Sequence, residues 1–266
     1  LGREAPRTYT KKFFYPKQGI GQIFEFIARE IKKYSGSIIL NARLKKLLLE
    51  GNRAKGVIYE LNGKDEVIHC DWVISTIPVT DLLYKPERGG EYHNVSTAVR
   101  SLRYRSLRFL NILIDQSDVG RNTWTYIPDG KYIMTRIQEP KKRSPYNAPY
   151  GKTSLMLEIP CSYNDEVWNM QDHLLFNRCI DDLSKLGIDI KDKVIDYFFT
   201  VEKHAYPIYH LDYKHHLNNL LSRVDSIENI HTCGRNGLFR YIFMDRAMEM
   251  GFEAAMIIEG KWNKKV

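Results

Sequence analysis

The C-terminal stretch from His231 to Ile258, HTCGRNGLFRYIFMDRAMEMGFEAAMII, places a glycine-arginine loop shortly before a predicted helix. Gly234 lets the backbone come close to an anion, and Arg235 supplies a planar, permanent charge that suits a diphosphate. A helix that begins near Met244 presents unpaired N–H groups and the positive end of its dipole. Such a loop usually opens a dinucleotide-binding fold, whereas this one lies near the end of the chain. We therefore interpret it as the second contact to a dinucleotide whose first contact lies outside this sequence.

Hydrophobic spacing predicts a mixture of helices and strands upstream of this loop. Residues 16–35 carry apolar side chains at helical spacing, and Gly36 provides a stop signal. The Asn62-Gly63 pair lies between two β-rich runs, which predicts a hairpin within a small antiparallel meander. The run DWVISTIP, residues 71–78, is typical of a buried strand that ends at a loop. There is no opening βαβ unit and no G-x-G-x-x-G motif, so a complete doubly wound fold is excluded.

Between residues 95 and 212 strand-like runs alternate with loops around one predicted helix, at about residues 166–186. This pattern indicates a separate mixed sheet with helical cover, which we interpret as a substrate domain. The chain then returns to a strand, NIHTCG, and a final helix from Met244 to Gly260. The predicted fold class is therefore α/β, with α and β elements mixed.

Composition limits the classes of protein to which the chain can belong. The sequence has 266 residues, 43% of them hydrophobic, which is typical of a globular protein. It contains no apolar run of about eighteen residues, so no transmembrane segment is expected. The net charge of +8 indicates either an acidic partner or a basic, soluble surface. The basic run Lys141–Lys152 is short and no nucleic-acid-binding motif is present, so nucleic acid is not expected as a partner.

The cysteines and the N-terminus indicate the compartment. Four cysteines stand far apart, with no C-x-x-C or Cys/His ligand spacing. This spacing favours reduced thiols in a cytoplasmic protein over a disulfide framework or a metal site. The N-terminal stretch LGREAPRTYTKKFF has no apolar core and no initiating Met, so we expect a cut end rather than a signal peptide.

Four segments, taken in order, resemble one known family. They are YPKQGIGQIFEFIARE, SIILNARLKKLLLEGNRAKGVIY, DWVISTIP and NIHTCGRNGLFRYIFMD. The family is that of the FAD-dependent amine-oxidase-like flavoproteins, which includes protoporphyrinogen-oxidase-like and phytoene-desaturase-like enzymes. UDP-galactopyranose mutases are more distant relatives with a similar closing motif. The resemblance implies FAD as the cofactor and the following cofactor-binding residues: Gly19, Gly21, Leu44, Pro78, Gly234, Arg235, Tyr241, Met244 and Asp245.

The resemblance also implies a domain plan. A partial FAD-binding domain covers residues 1–94, a substrate domain is inserted at 95–212, and residues 213–266 return to the FAD-binding domain. The N-terminal dinucleotide-binding βαβ unit of the family is missing from this sequence, so we do not expect the chain alone to bind FAD. That missing segment is an expected partner, and a homodimer is also left open.

Three classes of function are compatible with these features. The first is an FAD-dependent oxidoreductase that transfers a hydride from a small-molecule substrate to flavin N5. The second is a UDP-galactopyranose-mutase-like enzyme that acts on a nucleotide sugar without net redox change, and the third is a non-catalytic fragment or scaffold. No Ser-His-Asp set or paired carboxylate identifies a catalytic residue. Aromatic and basic runs predict the following substrate residues: Tyr126, Arg136, Tyr206, Tyr209 and Arg240.

Overall fold

The computed structural model describes residues 14–83 and 92–260, without the side chains of residues 92–94, and divides them into two compact units. The first unit holds the described residues up to Ile38 together with Leu107–Val201. The second holds the described residues of Ile39–Ser106 and those that follow Val201. The expectation of a cut N-terminal end concerns residues that lie almost wholly outside the described part.

The described residues form eight α-helices and ten strands. The helices are α1 (Gly21–Lys33), α2 (Val79–Leu82), α3 (Tyr92–Ser101), α4 (Glu166–Asn169), α5 (Asp172–Lys185), α6 (Tyr213–Asp225), α7 (Gly234–Gly237) and α8 (Met244–Ile258). The strands are β1 (Ala42–Glu50), β2 (Arg53–Leu61), β3 (Lys64–His69), β4 (Val73–Ser75), β5 (Tyr104–Ile114), β6 (Trp124–Tyr126), β7 (Arg136–Gln138), β8 (Thr153–Cys161), β9 (Val194–Pro207) and β10 (Ile230–Thr232). This composition confirms the predicted α/β class with mixed elements.

A five-stranded sheet with the order β6-β7-β8-β5-β9 forms the framework of the first unit. Its core joins apolar side chains of β5, β7 and β8 to one face of α5, where Leu175, Cys179 and Leu183 are fully buried. The segment that leads into α1 belongs to this unit because the Ser144 hydroxyl donates to the Lys17 carbonyl. The predicted domain limits, after residues 94 and 212, do not coincide with the unit limits, and the assignment of the domains to cofactor and substrate remains a prediction.

The helix predicted at about residues 166–186 is two helices in the structure. Met170 and Gln171 adopt extended backbone angles between α4 and α5, so the helix ends and restarts there. The break has a physical cause, because the buried guanidinium of Arg108 donates to the Val167 and Met170 carbonyls at 2.9 and 2.6 Å. Those carbonyls therefore bond to a side chain from a strand rather than to the next helical turn.

The second unit contains an antiparallel meander and a short parallel pair. Strands β1, β2 and β3 pair in chain order, and β2 joins β3 through Asn62 and Gly63, both with positive φ. The predicted hairpin at this Asn-Gly pair is confirmed, since two positive φ angles are what such a turn requires. Strand β4 pairs in parallel with β10 and spans only Val73–Ser75, which is shorter than the predicted strand.

Helices α3 and α6 pack against each other beside this parallel pair and are absent from the sequence prediction. The signal for α6 is nevertheless present, since its apolar residues recur at positions separated by three, four and seven: Leu217, Leu220, Leu221 and Val224.

Among the described residues, no helix is both long and apolar enough to cross a bilayer. No cluster of three or more potential metal ligands occurs in the same residues.

Candidate functional site

The parallel strands β4 and β10 end at the same edge of the second unit, and each continues into a loop and a short helix. Ile230 pairs with Val73 and Thr232 with Ser75, and the Cys233 amide donates to the Ser75 carbonyl at 2.9 Å. The carboxyl ends of adjacent parallel strands are where open α/β sheets bind their ligands. The loops at this edge, residues 76–78 and 233–243, therefore form the candidate site, and Pro78 lies in the first of them.

Two glycines shape the second loop for different reasons. Gly234 has a φ of +78°, which an L side chain rarely adopts, while a Cβ there would touch only Thr76, at 3.8 Å. Gly237 has ordinary backbone angles, but a Cβ would lie 2.7 Å from Thr232 Oγ1. Gly234 is therefore required by the turn and Gly237 by close packing. The prediction included Gly234 and missed Gly237, whose signal is its position three residues further along the same short helix.

Arg235 is held by groups of the second unit. Its guanidinium donates to the Ala205 carbonyl at 2.8 Å and to the Ile242 carbonyl at 3.4 Å. It also lies beside two adjacent aromatic rings, 4.8 Å from the Tyr206 centroid and 4.6 Å from that of Tyr241. The contacts with both rings and the two carbonyl bonds hold the guanidinium in place. The predicted contact of Arg235 with a diphosphate remains a prediction, and the structure adds that this side chain braces the loop.

Two of the tyrosines that the sequence assigned to the substrate, Tyr206 and Tyr209, lie near this arginine together with Tyr241, which the sequence assigned to the cofactor. The rings of Tyr206 and Tyr241 have centroids 5.7 Å apart, and the Tyr241 amide donates to the Tyr209 hydroxyl at 2.8 Å. The side chain of Arg240 is exposed, and its amide donates to the Arg235 carbonyl at 2.9 Å. The structure thus brings Tyr206 and Tyr209 to the loop that carries Arg235, Arg240 and Tyr241, although 29 positions separate Tyr206 from Arg235 in the chain.

Helix α8 begins immediately after this loop, at Met244. Its N-cap residue is Phe243, which has no side-chain hydrogen bond to the first turn, and both Met244 and Asp245 are exposed. The first-turn N–H groups are consequently not satisfied by a side-chain cap and remain suited to an acceptor. The positive end of the helix dipole lies at the same place.

A cleft of about 350 Å³ lies beside β4 in the second unit. It contains Leu44 from β1, which the sequence assigned to the cofactor, and residues from the whole of β4 and the loop after it. The lining residues are Leu44, Val57, Cys70, Trp72, Val73, Ile74, Ser75, Thr76, Ile77 and Leu82. The cleft is therefore continuous with the first of the two site loops.

Three buried polar atoms at this edge have no hydrogen-bond partner among the described residues: Ser75 Oγ, Arg235 Nε and Asn236 Oδ1. Buried polar atoms are nearly always bonded in folded proteins, so such atoms indicate a partner that the chain does not supply. Together with the positive φ of Gly234 and the uncapped start of α8, they fit a ligand that carries both donors and phosphate acceptors. A dinucleotide cofactor meets these requirements.

The remaining predicted cofactor residues belong to the first unit. Gly19 has a φ of +96°, and its amide donates to the Pro16 carbonyl at 3.1 Å, so the turn before α1 requires a glycine. Gly21 is exposed at the first position of α1, and a Cβ there would contact nothing within 4 Å. Only the first of these two glycines is thus required by the backbone, and the cofactor role of both remains a prediction.

The predicted substrate residues Tyr126 and Arg136 face each other on neighbouring strands of the first unit. Arg136 donates to the Tyr126 hydroxyl at 3.3 Å and forms an ion pair with the buried carboxylate of Glu158. Its guanidinium lies 5.6 Å from the Tyr126 ring centroid, and the Tyr126 side chain is 63% exposed. The guanidinium of Arg136 therefore holds the exposed Tyr126 ring in place.

This cluster extends through residues that sequence reasoning did not assign to the site. Gln138 donates to Glu158 at 2.9 Å and accepts a hydrogen bond from Arg143, whose guanidinium lies 5.7 Å from the Trp124 ring centroid. Trp124 is 41% exposed. The signal for Gln138 is its alternation with Arg136 along β7, but no local pattern indicates Glu158. The cluster thus contains two exposed aromatic rings, Trp124 and Tyr126, each near an arginine. The two arginines are connected through the buried pair of Glu158 and Gln138.

Two of the four cations of the basic run Lys141–Lys152 form ion pairs within the first unit. Lys142 and Lys152 form ion pairs with Asp118 and Asp115, respectively. The Lys141 ammonium donates to the carbonyls of Ser117 and Lys152, at 2.9 and 2.8 Å. These bonds tie the run to neighbouring loops, so its charges are not arranged as an open phosphate-binding surface.

Comparison with known proteins shows the family. The family described as flavin containing amine oxidoreductase matches residues 5–258, which is almost the whole chain. The chain therefore belongs to the flavin containing amine oxidoreductase family, and FAD is the cofactor that this membership implies. No curated protein sequence matches the chain.

Solved structures show the same fold at low sequence identity. A reduced UDP-galactopyranose mutase matches with a TM-score of 0.79 and 20% identity, over 94% of this chain and 54% of the mutase. A candidate protoporphyrinogen oxidase from Exiguobacterium sp. 255-15 matches with a TM-score of 0.65 and 16% identity, over 92% and 51% of the two chains. Putrescine oxidase bound to putrescine matches with a TM-score of 0.57 and 15% identity, over 91% and 53%. The chain thus spans about half the length of the proteins it matches.

Proposed function

We propose that this chain is a fragment of an FAD-dependent oxidoreductase that removes a hydride from a small-molecule substrate. The observation that carries the proposal is the edge of the β4–β10 pair, where buried polar atoms without partners adjoin a left-handed glycine. Flavin, when bound, supplies the hydride acceptor at N5. The protein supplies binding, orientation and shape.

Each part of the candidate site has a role in this proposal. The left-handed Gly234 allows the backbone to approach the diphosphate, and the exposed N–H groups of the first turn of α8 stabilise negative charge on the cofactor. Arg235 braces the loop through its two carbonyl bonds. The rings of Tyr206 and Tyr241 form an aromatic wall that suits a flat or apolar substrate.

A dinucleotide-binding segment outside the sequence completes the site in this proposal. The chain spans only about half of its structural relatives, 54% of the mutase. In addition, apolar side chains lie exposed on β4 and α8: Ile74 is 43% exposed and Phe252 is 71% exposed. Residues of this kind normally pack against a neighbouring element. A second copy of the chain is the alternative partner for these surfaces, and the reduced, mostly buried cysteines favour a cytoplasmic location.

Flavin uptake by the full-length protein tests this proposal. We expect the purified protein to carry the yellow absorbance of oxidised FAD and to be bleached by a suitable amine under anaerobic conditions. The variant Gly234→Ala should bind FAD more weakly, while Gly130→Ala, at an exposed glycine with open space around it, should bind normally. A colourless full-length protein that does not take up added FAD would favour the non-catalytic scaffold.

A mutase-type reaction on a nucleotide sugar is the second candidate. The observation that favours it is the pair of exposed rings, Trp124 and Tyr126, each near an arginine on the same unit. Such rings can stack on a base, and arginines can bind a diphosphate. The motif GRNGLFRYIFMD is also similar to that of the mutases.

Anaerobic mixing separates the two enzymes. An amine oxidase should be reduced by its amine and be unaffected by UDP-galactose. A mutase-type enzyme should convert UDP-galactose only after its flavin has been reduced, with no net change in the flavin spectrum. In the second case Arg136→Lys should raise the KM for the nucleotide sugar, because the bidentate geometry of the arginine is lost.

A further inference from the structure

The loop between α7 and α8 contains a left-handed residue that is not glycine. Phe239 has a φ of +48° and is fully buried. This conformation is unfavourable for a bulky side chain and persists only where the surroundings hold it. Three tyrosine rings surround the Phe239 ring, with centroid distances of 4.9 Å for Tyr104, 6.1 Å for Tyr209 and 6.2 Å for Tyr213. The packing of this aromatic cluster therefore stabilises the reversal of the chain.

Tyr209 differs from the other two tyrosines because its hydroxyl bonds to the loop backbone after the reversal at Phe239. Its ring meets Phe239 at 82°, edge to face, and its hydroxyl accepts a hydrogen bond from the Tyr241 amide at 2.8 Å. One side chain thus contacts both the left-handed residue and the position two residues after it. Tyr104, in contrast, donates its hydroxyl to the Asn236 carbonyl, before the reversal.

The chain from Arg240 to Phe243 has few other restraints before α8 begins. Tyr241 is 50% exposed and Phe243 is also exposed. The hydrogen bonds to this stretch from outside α8 include the one between the Tyr241 amide and Tyr209, the one from the Arg240 amide to the Arg235 carbonyl, and the one from the Arg235 guanidinium to the Ile242 carbonyl. Ile242 also packs against the apolar cluster that includes Met250 and Ala254 of α8, so the direction in which the chain enters α8 depends on this packing together with the bonds from Tyr209 and Arg235.

We propose that Tyr209 is a positioning residue for the part of the site loop that leads into α8, where the cofactor is proposed to bind, rather than a substrate contact. Its ring supports the left-handed turn at Phe239, and its hydroxyl fixes Tyr241, so that the uncapped first turn of α8 and the Tyr241 ring are held in one orientation. This inference rests on the proposed function insofar as the start of α8 contacts FAD.

The test compares Tyr209→Phe with Tyr213→Phe in the full-length protein. Tyr209→Phe keeps the ring against Phe239 and removes the acceptor, whereas Tyr213→Phe removes a hydroxyl that does not bond to the loop. Residue-resolved hydrogen exchange of the apoprotein should show the Tyr241 amide exchanging about 3- to 10-fold faster in Tyr209→Phe only, the change expected from one lost hydrogen bond. Equal exchange rates in the wild type and Tyr209→Phe would overturn the proposal.

Binding of FAD tests the cofactor part. The dissociation constant for FAD should rise about 3- to 10-fold in Tyr209→Phe and stay unchanged in Tyr213→Phe, with equal melting temperatures of the two apoproteins. Unchanged FAD affinity with a raised substrate KM would assign Tyr209 to the substrate and overturn the proposal. If the wild type binds no FAD, the proposed function fails, and the exchange measurement still decides whether Tyr209 holds the loop.

Discussion

The side chain of Asn229 pairs with Ala54 as a neighbouring strand would. Its Oδ1 accepts the Ala54 N–H at 2.8 Å, and its Nδ2 donates to the Ala54 carbonyl at 2.7 Å. The same Nδ2 also donates to the Asp71 carbonyl, at 2.6 Å. Because Asn229 is fully buried and directly precedes β10, it ties the meander to the parallel pair that carries the site.

Asn229→Asp should destabilise the protein by about 3 kcal/mol. The substitution replaces the Nδ2 donor by a carboxylate oxygen, which would be buried against the carbonyl oxygens of Ala54 and Asp71. Asn229→Ala should cost about 2 kcal/mol, because it leaves the Ala54 amide and carbonyl unpaired. Urea unfolding measures both losses. Asn219→Asp, near the surface of α6, serves as a control that should change stability by less than about 0.5 kcal/mol. Similar stabilities for the two aspartate variants would show that the Asn229 bonds are dispensable.

Gly237→Ala should also destabilise the site loop, by about 2 kcal/mol, because the new methyl group would overlap Thr232 Oγ1. The double variant Gly237→Ala/Thr232→Ala removes the atom at 2.7 Å and should recover part of the loss, while the Ser75 carbonyl at 3.2 Å prevents full recovery. A double-mutant cycle by urea unfolding measures this coupling. Strict additivity of the two substitutions would contradict the packing argument.

The sequence predicted those features that depend on short-range chemistry. The Asn62-Gly63 turn is an example, since two residues determine the backbone angles, and so is the start of α8 at Met244. Features that depend on distant partners were not predictable. Arg108 interrupts a helix about sixty positions away, and the Glu158 carboxylate pairs with Arg136 across a sheet. A local pattern contains no information about such pairs, because tertiary contacts decide where the donor finds its acceptor.

Arg108→Lys should destabilise the first unit by about 3 kcal/mol. The buried guanidinium bonds to the carbonyls of Val167, Trp168 and Met170, pairs with Asp172 and stacks on the Phe199 ring at 4.7 Å. A lysine ammonium cannot reach all of these groups, so buried carbonyls would lose their donors. Arg103→Lys, at an exposed position, should be neutral. Far-UV circular dichroism during urea unfolding compares the variants, and equal midpoints would refute the role of Arg108.

His204 should make stability depend on pH. Burial lowers its pKa below the ordinary value of 6.5, while Asp81, 3.9 Å from Nε2, opposes that shift. The unfolded chain therefore binds a proton at a higher pH than the folded chain. The contribution of neutral His204 is complete above pH 6.5 and declines as pH falls from there toward the lowered pKa, by at most about 1.4 kcal/mol per pH unit.

His204→Gln should remove this part of the pH dependence, whereas His215→Gln, on an exposed position of α6, should retain it. Urea unfolding at a series of pH values from neutral to mildly acidic measures the slopes. An unchanged slope in His204→Gln would assign the pH dependence to another group.

Cys70 should be the most reactive thiol among the described residues. It is partly exposed and lines the cleft beside β4, whereas Cys161, Cys179 and Cys233 are buried. Burial also raises the pKa of Cys179 to about 12 and the pKa of Cys233 above its ordinary value, so these thiols carry almost no reactive thiolate near neutral pH. Labelling with a disulfide reagent should show one fast phase that disappears in Cys70→Ser.

The same reaction reports whether the cofactor enters the cleft. If FAD occupies the space next to Cys70, FAD at ten times its dissociation constant should slow the fast phase about 10-fold, as expected from the fraction of protein left unliganded. Adenosine diphosphate is a useful second ligand, because it carries the diphosphate without the flavin ring. Protection by FAD in the wild type, together with its loss in Gly234→Ala at the same concentration, would connect the cleft to the glycine loop. If the protein is yellow with bound FAD and Cys70 is still labelled at the rate of the apoprotein, the cofactor lies away from Cys70.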